Sequence, residues 1–236
     1  MDGLSYGPRF RNRTEAGQLL ARALDEYAGR DDLVILALPR GGVPIGYEIA
    51  RRVRVPLDVF LVRKLGVPWH PELAMGALAS GGVQVLNDEV VRMYGIPPHV
   101  IQAVAAQEQE ELDRRAREYR GDRAFPSLEG RTVILVDDGL ATGSTMRAAV
   151  AAVRQQKPAS IIVAVPVAAV QTCDEFRHEV DDIVCLRMPE MFSAVGAWYD
   201  DFSQTSDEEV RALLAAAATS IPTTGEGQEP SVGLKA

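Results

Sequence analysis

The sequence predicts an α/β fold, a doubly wound and mainly parallel five-stranded sheet with flanking helices. Three observations predict it. Short aliphatic runs recur between turn residues, they are continuous rather than alternating, and helical patterns separate most of them. Continuous hydrophobicity marks strands buried on both faces, as in a parallel sheet, and strand-helix alternation is the signature of the doubly wound class. The runs are "LVILAL" (Leu33–Leu38), "LDVFLV" (Leu57–Val62), "TVILV" (Thr132–Val136), "SIIVAV" (Ser160–Val165) and "DIVCL" (Asp182–Leu186). Helical patterns cover Val43–Val53, Thr145–Gln155 and Ala169–His178.

Two segments break the rhythm. "MGALASGGVQVL" (Met75–Leu86) predicts a hairpin turned at Ser80, Gly81 and Gly82, where glycine supplies positive φ. A long polar helix, about Pro97 to Tyr119, follows; Glu110 with Arg114, Glu111 with Arg115 and Asp113 with Arg117 are spaced for i,i+4 pairs on a solvated face or a dimer contact. From about Ser220 to Ala236 the chain is rich in Gly, Pro, Thr and Glu without periodicity, which predicts a disordered tail over 220–236.

Bulk properties narrow the function. A net charge of -8 argues against nucleic acid as the main partner, since that affinity comes largely from neutralising phosphates. The two cysteines, Cys173 and Cys185, form no CxxC and stand near no histidine cluster, so neither a disulfide framework nor a zinc site is expected. No basic leader with an apolar core opens the chain, and no stretch reaches the roughly 20 apolar residues of a membrane span, so a cytoplasmic protein without membrane partners is expected.

The chemistry concentrates in "VILVDDGLATGST" (Val133–Thr145). In open parallel sheets, ligands sit beyond the carboxyl ends of the strands. Backbone N–H groups from Ala141 to Thr145, with the hydroxyls of Thr142, Ser144 and Thr145, are placed to surround a phosphate at a helix N-terminus, and Gly143 permits close approach. The loop has three residues between its glycines where a Walker loop has four, and it lacks the Walker lysine, which excludes that mode of triphosphate binding. Asp137 and Asp138 are suited to accept hydrogen bonds from adjacent sugar hydroxyls. The alternative is a turn in which one Asp caps the helix.

This stretch resembles the 5-phosphoribosyl 1-diphosphate (PRPP) signature of the type I phosphoribosyltransferases, and the order of elements is similar from about Leu33 to Phe202. The resemblance implies one phosphoribosyltransferase domain over 1–219. It would carry a flap and helical insertion at about 66–120 and a C-terminal hood at about 187–202. Asp137 and Asp138 would hold the ribose hydroxyls, and Ala141, Thr142, Gly143, Ser144 and Thr145 the 5-phosphate. "LPRGG" would bind diphosphate through Pro39, Arg40, Gly41 and Gly42, with a cis peptide between Pro39 and Arg40. In "VRKLG", Arg63 and Lys64 would meet the diphosphate from a strand end before the hairpin; surface charge is the alternative. "GVPWHPE" resembles a loop that could move; His70 within it is not assigned a catalytic role. Catalysis is expected to rest on Arg40, Arg63, Lys64, Asp137, Asp138 and Mg²⁺.

"PEMFSAVGAWYDDF" (Pro189–Phe202) is similar to the hood of the hypoxanthine-guanine branch. That similarity makes Phe192 the ring stacking on a base, Trp198 a second base contact and Asp200 the metal contact. A hydrophobic stretch packing on the core is the alternative. Two positions depart from that branch. Ala141 stands where it has an acid, as in the adenine and orotate branches, and Val180 is the nearest match to its lysine that reads the purine oxygen. The expected function is phosphoribosyl transfer to a nitrogenous base, purine-like favoured, with no nucleic-acid or membrane partner. A silent PRPP-sensing regulator and a transferase for a non-nucleobase acceptor are the alternatives. Dimers are common in the family, which makes a homodimer an expectation.

Overall fold

A computed structural model describes residues 8–220. Its centre is a fully parallel sheet of β1 (Leu33–Ala37), β2 (Leu57–Val59), β6 (Thr132–Val136), β7 (Ser160–Val167) and β8 (Asp182–Arg187), in the order β2-β1-β6-β7-β8. The continuous runs have the expected cause. Along β1, Leu33, Ile35 and Ala37 enter one buried cluster while Val34 and Leu36 enter another, so both faces are covered. Helices α1 (Arg13–Ala23), α2 (Gly42–Val53), α4 (Pro98–Arg120) and α7 (Asp207–Ser220) contribute to the first cluster, and α5 (Ser144–Gln155) and α6 (Val170–Glu179) to the second.

The second predicted strand needs correction. "LDVFLV" spans two sheets: β2 stops at Val59, and Val62 begins β3 (Val62–Val67) of an antiparallel sheet with β4 (His70–Ala79) and β5 (Val83–Leu86). Phe60 N–H still donates to the Ala37 carbonyl at 2.9 Å, whereas Leu61 N–H donates to Ser80 Oγ at 2.9 Å. The chain changes sheet between those two residues. The predicted hairpin is therefore the second half of a three-stranded meander, with its turn at Ser80, Gly81 and Gly82; both glycines have positive φ.

That junction is fastened by a buried ion pair. Arg120 Nε donates to Asp58 Oδ1 at 2.8 Å, and its Nη2 donates to the Val59 carbonyl at 2.6 Å and to Ser80 Oγ at 3.1 Å. The guanidinium also lies over the Phe125 ring. One side chain thus joins the end of α4, the edge of the central sheet and the flap turn. Of the three ion pairs predicted along α4, Glu111 with Arg115 forms; Arg114 instead engages Glu111 and Glu118, and Asp113 accepts from Gln109. Nor is α4 wholly solvated, since Ile101, Leu112 and Tyr119 are buried.

Three helices had no counterpart in the hydrophobic pattern: α1, α3 (Asp88–Met93) and α7. The local signal that α1 and α7 do carry is a capping residue. Asn12 Oδ1 accepts from Glu15 N–H at 3.0 Å, and Ser206 Oγ accepts from Glu209 N–H at 3.1 Å, the polar-x-x-acid spacing of a helix start. Apart from Ser220, which ends α7, the predicted tail lies outside the described residues. No helix among the described residues is long and apolar enough to cross a membrane.

Removing one partner of a buried ion pair leaves the other charge uncompensated. Asp58→Ala is expected to lower stability by about 3 kcal/mol, seen as a lower urea midpoint with an unchanged slope.

Candidate functional site

The carboxyl ends of β1 and β6 lie side by side, because Ala37 is in register with Val136. Leu38 N–H donates to the Val136 carbonyl at 2.8 Å, and the chain then turns through Pro39-Arg40, a cis peptide as expected, into α2. The two glycines that follow are required by the neighbouring strand end. A Cβ on Gly41 would lie 2.0 Å from Asp138 Oδ2, and one on Gly42 would lie 2.5 Å from the Val136 carbonyl oxygen. "RGG" therefore lets the loop after β1 press against the acid pair after β6, in addition to leaving its backbone open to a ligand.

Beyond the acids, the loop Gly139–Gly143 leads into α5. Its conformation is held from behind. Thr172 Oγ1 donates to the Ala141 carbonyl at 2.6 Å, and Arg147 Nη1 donates to the Thr142 carbonyl at 2.7 Å. In a planar trans peptide the C=O and the next N–H point opposite ways, so those two bonds turn the Thr142 amide away from Thr172 and the Gly143 amide away from the Arg147 guanidinium. Arg147 is itself held by Glu179 at 2.9 Å and by Glu175. Gly143 has φ +69° and packs on Phe176, whose ring would stand 2.6 Å from a Cβ there. Asp137, Gly139–Met146 and Val195 line a cavity of about 190 Å³. Backbone amides, three hydroxyls and a helix N-terminus thus meet at one loop, a donor set suited to an anion.

The acids sit at its edge. Asp138 N–H donates to Asp137 Oδ1 at 2.8 Å. Asp138 Oδ2 is held by Arg13, a residue the sequence pattern did not single out, through Nε at 2.9 Å and Nη2 at 2.8 Å. Each acid therefore commits one oxygen to the protein, and Asp137 Oδ2 and Asp138 Oδ1 are left open. Burial pushes the Asp137 carboxyl well above the ordinary carboxylate range, and the charge of Asp138 pushes it further. Burial raises Asp138 as well, with Arg13 opposing the rise.

Other predicted residues fall less uniformly. Arg40 is half-buried at the same loop, with Nη1 3.7 Å from Asp207 Oδ2 at the start of α7; Tyr119 OH donates to the other oxygen of Asp207 at 2.5 Å. Arg63 and Lys64 are not at the end of a central strand. They lie within β3 and, being adjacent, point to opposite faces of the flap sheet. Arg63 is engaged by Glu108 of α4 at 2.6 Å, whereas Lys64 is exposed.

In the hood, Phe10 N–H donates to the Trp198 carbonyl and Asp200 N–H donates to the Phe10 carbonyl, so the N-terminal segment and the hood are stitched together. The two aromatic candidates separate there. Trp198 is 4% exposed within a cluster containing Phe10, Ala16, Val167 and Tyr199, so its ring is committed to packing rather than to a base. Phe192 is half-buried and lines a groove of about 640 Å³ with Ala169, Val170, Asp174 and Glu190. Ala169 N–H donates to the Leu140 carbonyl at 3.1 Å, which puts that groove beside the anion loop. Asp200 is exposed, and no group of three His, Cys, Asp or Glu side chains converges as a metal site among the described residues.

Two outcomes follow from this geometry. Gly41→Ala is expected to displace the Asp138 carboxylate and lower stability by about 1–3 kcal/mol, as overpacking does, measured by denaturant unfolding. Because the folded protein holds the Asp137 proton to higher pH than the unfolded chain does, this group's contribution to stability is present below the ordinary carboxylate value and lost as pH rises through the raised one. Asp137→Asn should accordingly raise the thermal midpoint of the ligand-free protein by a few degrees at pH 8 and by less at pH 4.

Comparison with known proteins agrees with this architecture. Residues 11–202 match the family described as "Phosphoribosyl transferase domain". The curated protein named "Putative phosphoribosyl transferase Rv0571c", from Mycobacterium tuberculosis strain H37Rv, is 44% identical over 205 residues, covering 87% of this chain and 46% of that one; its counterpart in strain CDC 1551, MT0597, matches equally. The chain thus spans about half the length of the curated relatives it matches. The crystal structure of TT1426 from Thermus thermophilus is 43% identical, with a TM-score of 0.79, covering 89% of this chain and 99% of that one. With the fold, the loop and the match in agreement, the chain belongs to the phosphoribosyltransferase family.

Proposed function

We propose that the protein transfers the 5-phosphoribosyl group of PRPP to a nitrogenous base of purine-like size, releasing diphosphate. The observation that carries this reading is the pair of open carboxylate oxygens, Asp137 Oδ2 and Asp138 Oδ1, beside the amide-lined cavity. Two vicinal hydroxyls need two acceptors, and a 5-phosphate needs the anion site. The amides and hydroxyls from Ala141 to Thr145 would bind the phosphate, and the acids the ribose.

The loop Pro39–Gly42 would hold the diphosphate. Arg40 is suited to this because its present pairing with Asp207 is long and half-exposed, and such pairs are worth little. It can be exchanged for a diphosphate oxygen without leaving a buried charge behind. On the flap, Lys64 is available for the same anion, while Arg63 must first leave Glu108. Closure of the flap would keep water from a ribosyl oxocarbenium ion. Phe192 offers a ring for stacking the base.

The donor set fits a Mg²⁺ ion held mainly by substrate oxygens and water, with Asp200 as the protein carboxylate that would contact it. When bound, Mg²⁺ would neutralise charge growing on the leaving diphosphate.

Diphosphate release from PRPP with Mg²⁺, measured across a panel of purines, pyrimidines and other nitrogen heterocycles, tests the assignment. Release should depend on one class of base. The double variant Asp137→Asn, Asp138→Asn should lose at least about 100-fold, given the strength of hydrogen bonds to charged acceptors. Equal turnover in that variant refutes the site; tight PRPP binding without release for any acceptor assigns a sensor instead.

A further inference from the structure

The Arg13 side chain belongs to the first turn of α1, outside the loop that carries the acid pair, and is only 12% exposed. Each of its nitrogens is engaged. Nε and Nη2 converge on Asp138 Oδ2 at 2.9 and 2.8 Å, and Nη1 donates to the Ser203 carbonyl at 2.7 Å. The face of the guanidinium stacks on Phe202, 3.9 Å from the ring centroid. Asn12 caps α1 immediately before Arg13, and the Phe10–Tyr199 bridge fixes the same segment to the hood. Arg13 is therefore held from three sides before it touches the acid.

We infer that Arg13 is a positioning residue of the ribose site: it anchors one oxygen of Asp138 against Gly41 and so aims the other at the sugar. The inference rests on the PRPP reading for the ligand, while the anchoring is geometric. Its logic is a comparison of the two acids. Asp137 Oδ1 is fixed by the backbone amide of the next residue, which no substitution there other than proline removes. The Asp138 carboxylate has no such amide from another residue among the described residues, and Arg13 supplies the equivalent restraint from another part of the chain. A carboxylate free to rotate would present neither oxygen reproducibly, and the required placement is tighter than about 0.5 Å.

Arg13 also sets the charge of this acid. The ionisable groups facing Asp138 are Asp137, Arg13 and Tyr199, whose OH donates to the Asp138 carbonyl at 2.7 Å. Arg13 is the cation among them. Without it, burial acts on Asp138 with only a backbone hydrogen bond opposing it, so its proton is held to higher pH.

The test combines PRPP binding by calorimetry with ¹³C carboxyl NMR titration of the ligand-free protein. Arg13→Met should weaken PRPP binding by about 10- to 100-fold, the range of a charged hydrogen bond, and move the acidic limb of binding to higher pH. Arg13→Lys should recover the limb but only part of the affinity, because an ammonium lacks the planar fork. In an Asp138→Asn background, Arg13→Met should add little, since the two act as one unit. A role confined to docking α1 predicts additive losses and an unmoved limb, and either result overturns the inference. Should the wild type fail to bind PRPP, the reading of the ligand falls and NMR decides the anchoring by itself: an Asp138 midpoint unchanged in Arg13→Met overturns it, and a raised midpoint upholds it.

Discussion

The close approach of two strand-end loops is the constraint on which the site depends. β1 and β6 run parallel in register to their last residues, and the turn after β1 lies so near the turn after β6 that Gly41 and Gly42 have no room for a side chain. This contact brings the Arg40 loop against the acid pair, which adjoins the cavity of the loop after β6. The helices then serve the loops. α2 leaves from Gly42, α5 from the loop after the acids, and α6 holds the Ala141 carbonyl out of the way through Thr172.

Two buried carboxyl groups stand beside the donor-rich loop after β6, and burial alone disfavours their charge. Arg13 and Arg147 make the arrangement tolerable without filling it. Arg13 compensates one carboxylate from α1. Arg147 grips the loop from its outer side and is in turn paired with two glutamates, so its own charge is balanced away from the cavity. Stability conceded at such a place is common for a preorganised binding site.

Most of the central sheet was legible because its physics is local. The strands of β1, β6, β7 and β8 declare themselves by apolar runs buried on two faces, and α2, α5 and α6 by periodicity; all begin and end within two residues of their expected bounds. The change of sheet at Phe60 was not legible, since an apolar run reads alike whether its hydrogen bonds go to Ala37 or to Ser80. α1 and α7 were missed, since they carry caps at Asn12 and Ser206 but no hydrophobic stripe that stands out. Arg13 and Asp207 were hidden for a different reason: their significance lies in partners remote along the chain, Asp138 and Arg40. Trp198 and Phe192 show the same limit. An aromatic ring is recruited by a core or by a ligand with the same sequence signal, and burial alone separates the two uses.

The flap sheet shares no strand with the central sheet; its hydrogen bonds to the rest of the molecule gather at Ser80, where Arg120, Leu61 and Gln156 all bond, while Leu65, Val67 and Met75 along its length are buried in the same cluster as residues of α4. From there β4 extends back to His70, about 30 Å at the rise of an extended strand. Only if the apolar seam with α4 parted could the sheet swing about Ser80: a tilt of about 10° there would carry the far turn through about 5 Å over that length. Lys64, nearer the pivot, would travel a fraction of that distance. Trp69, half-exposed at the tip, would make most of the excursion.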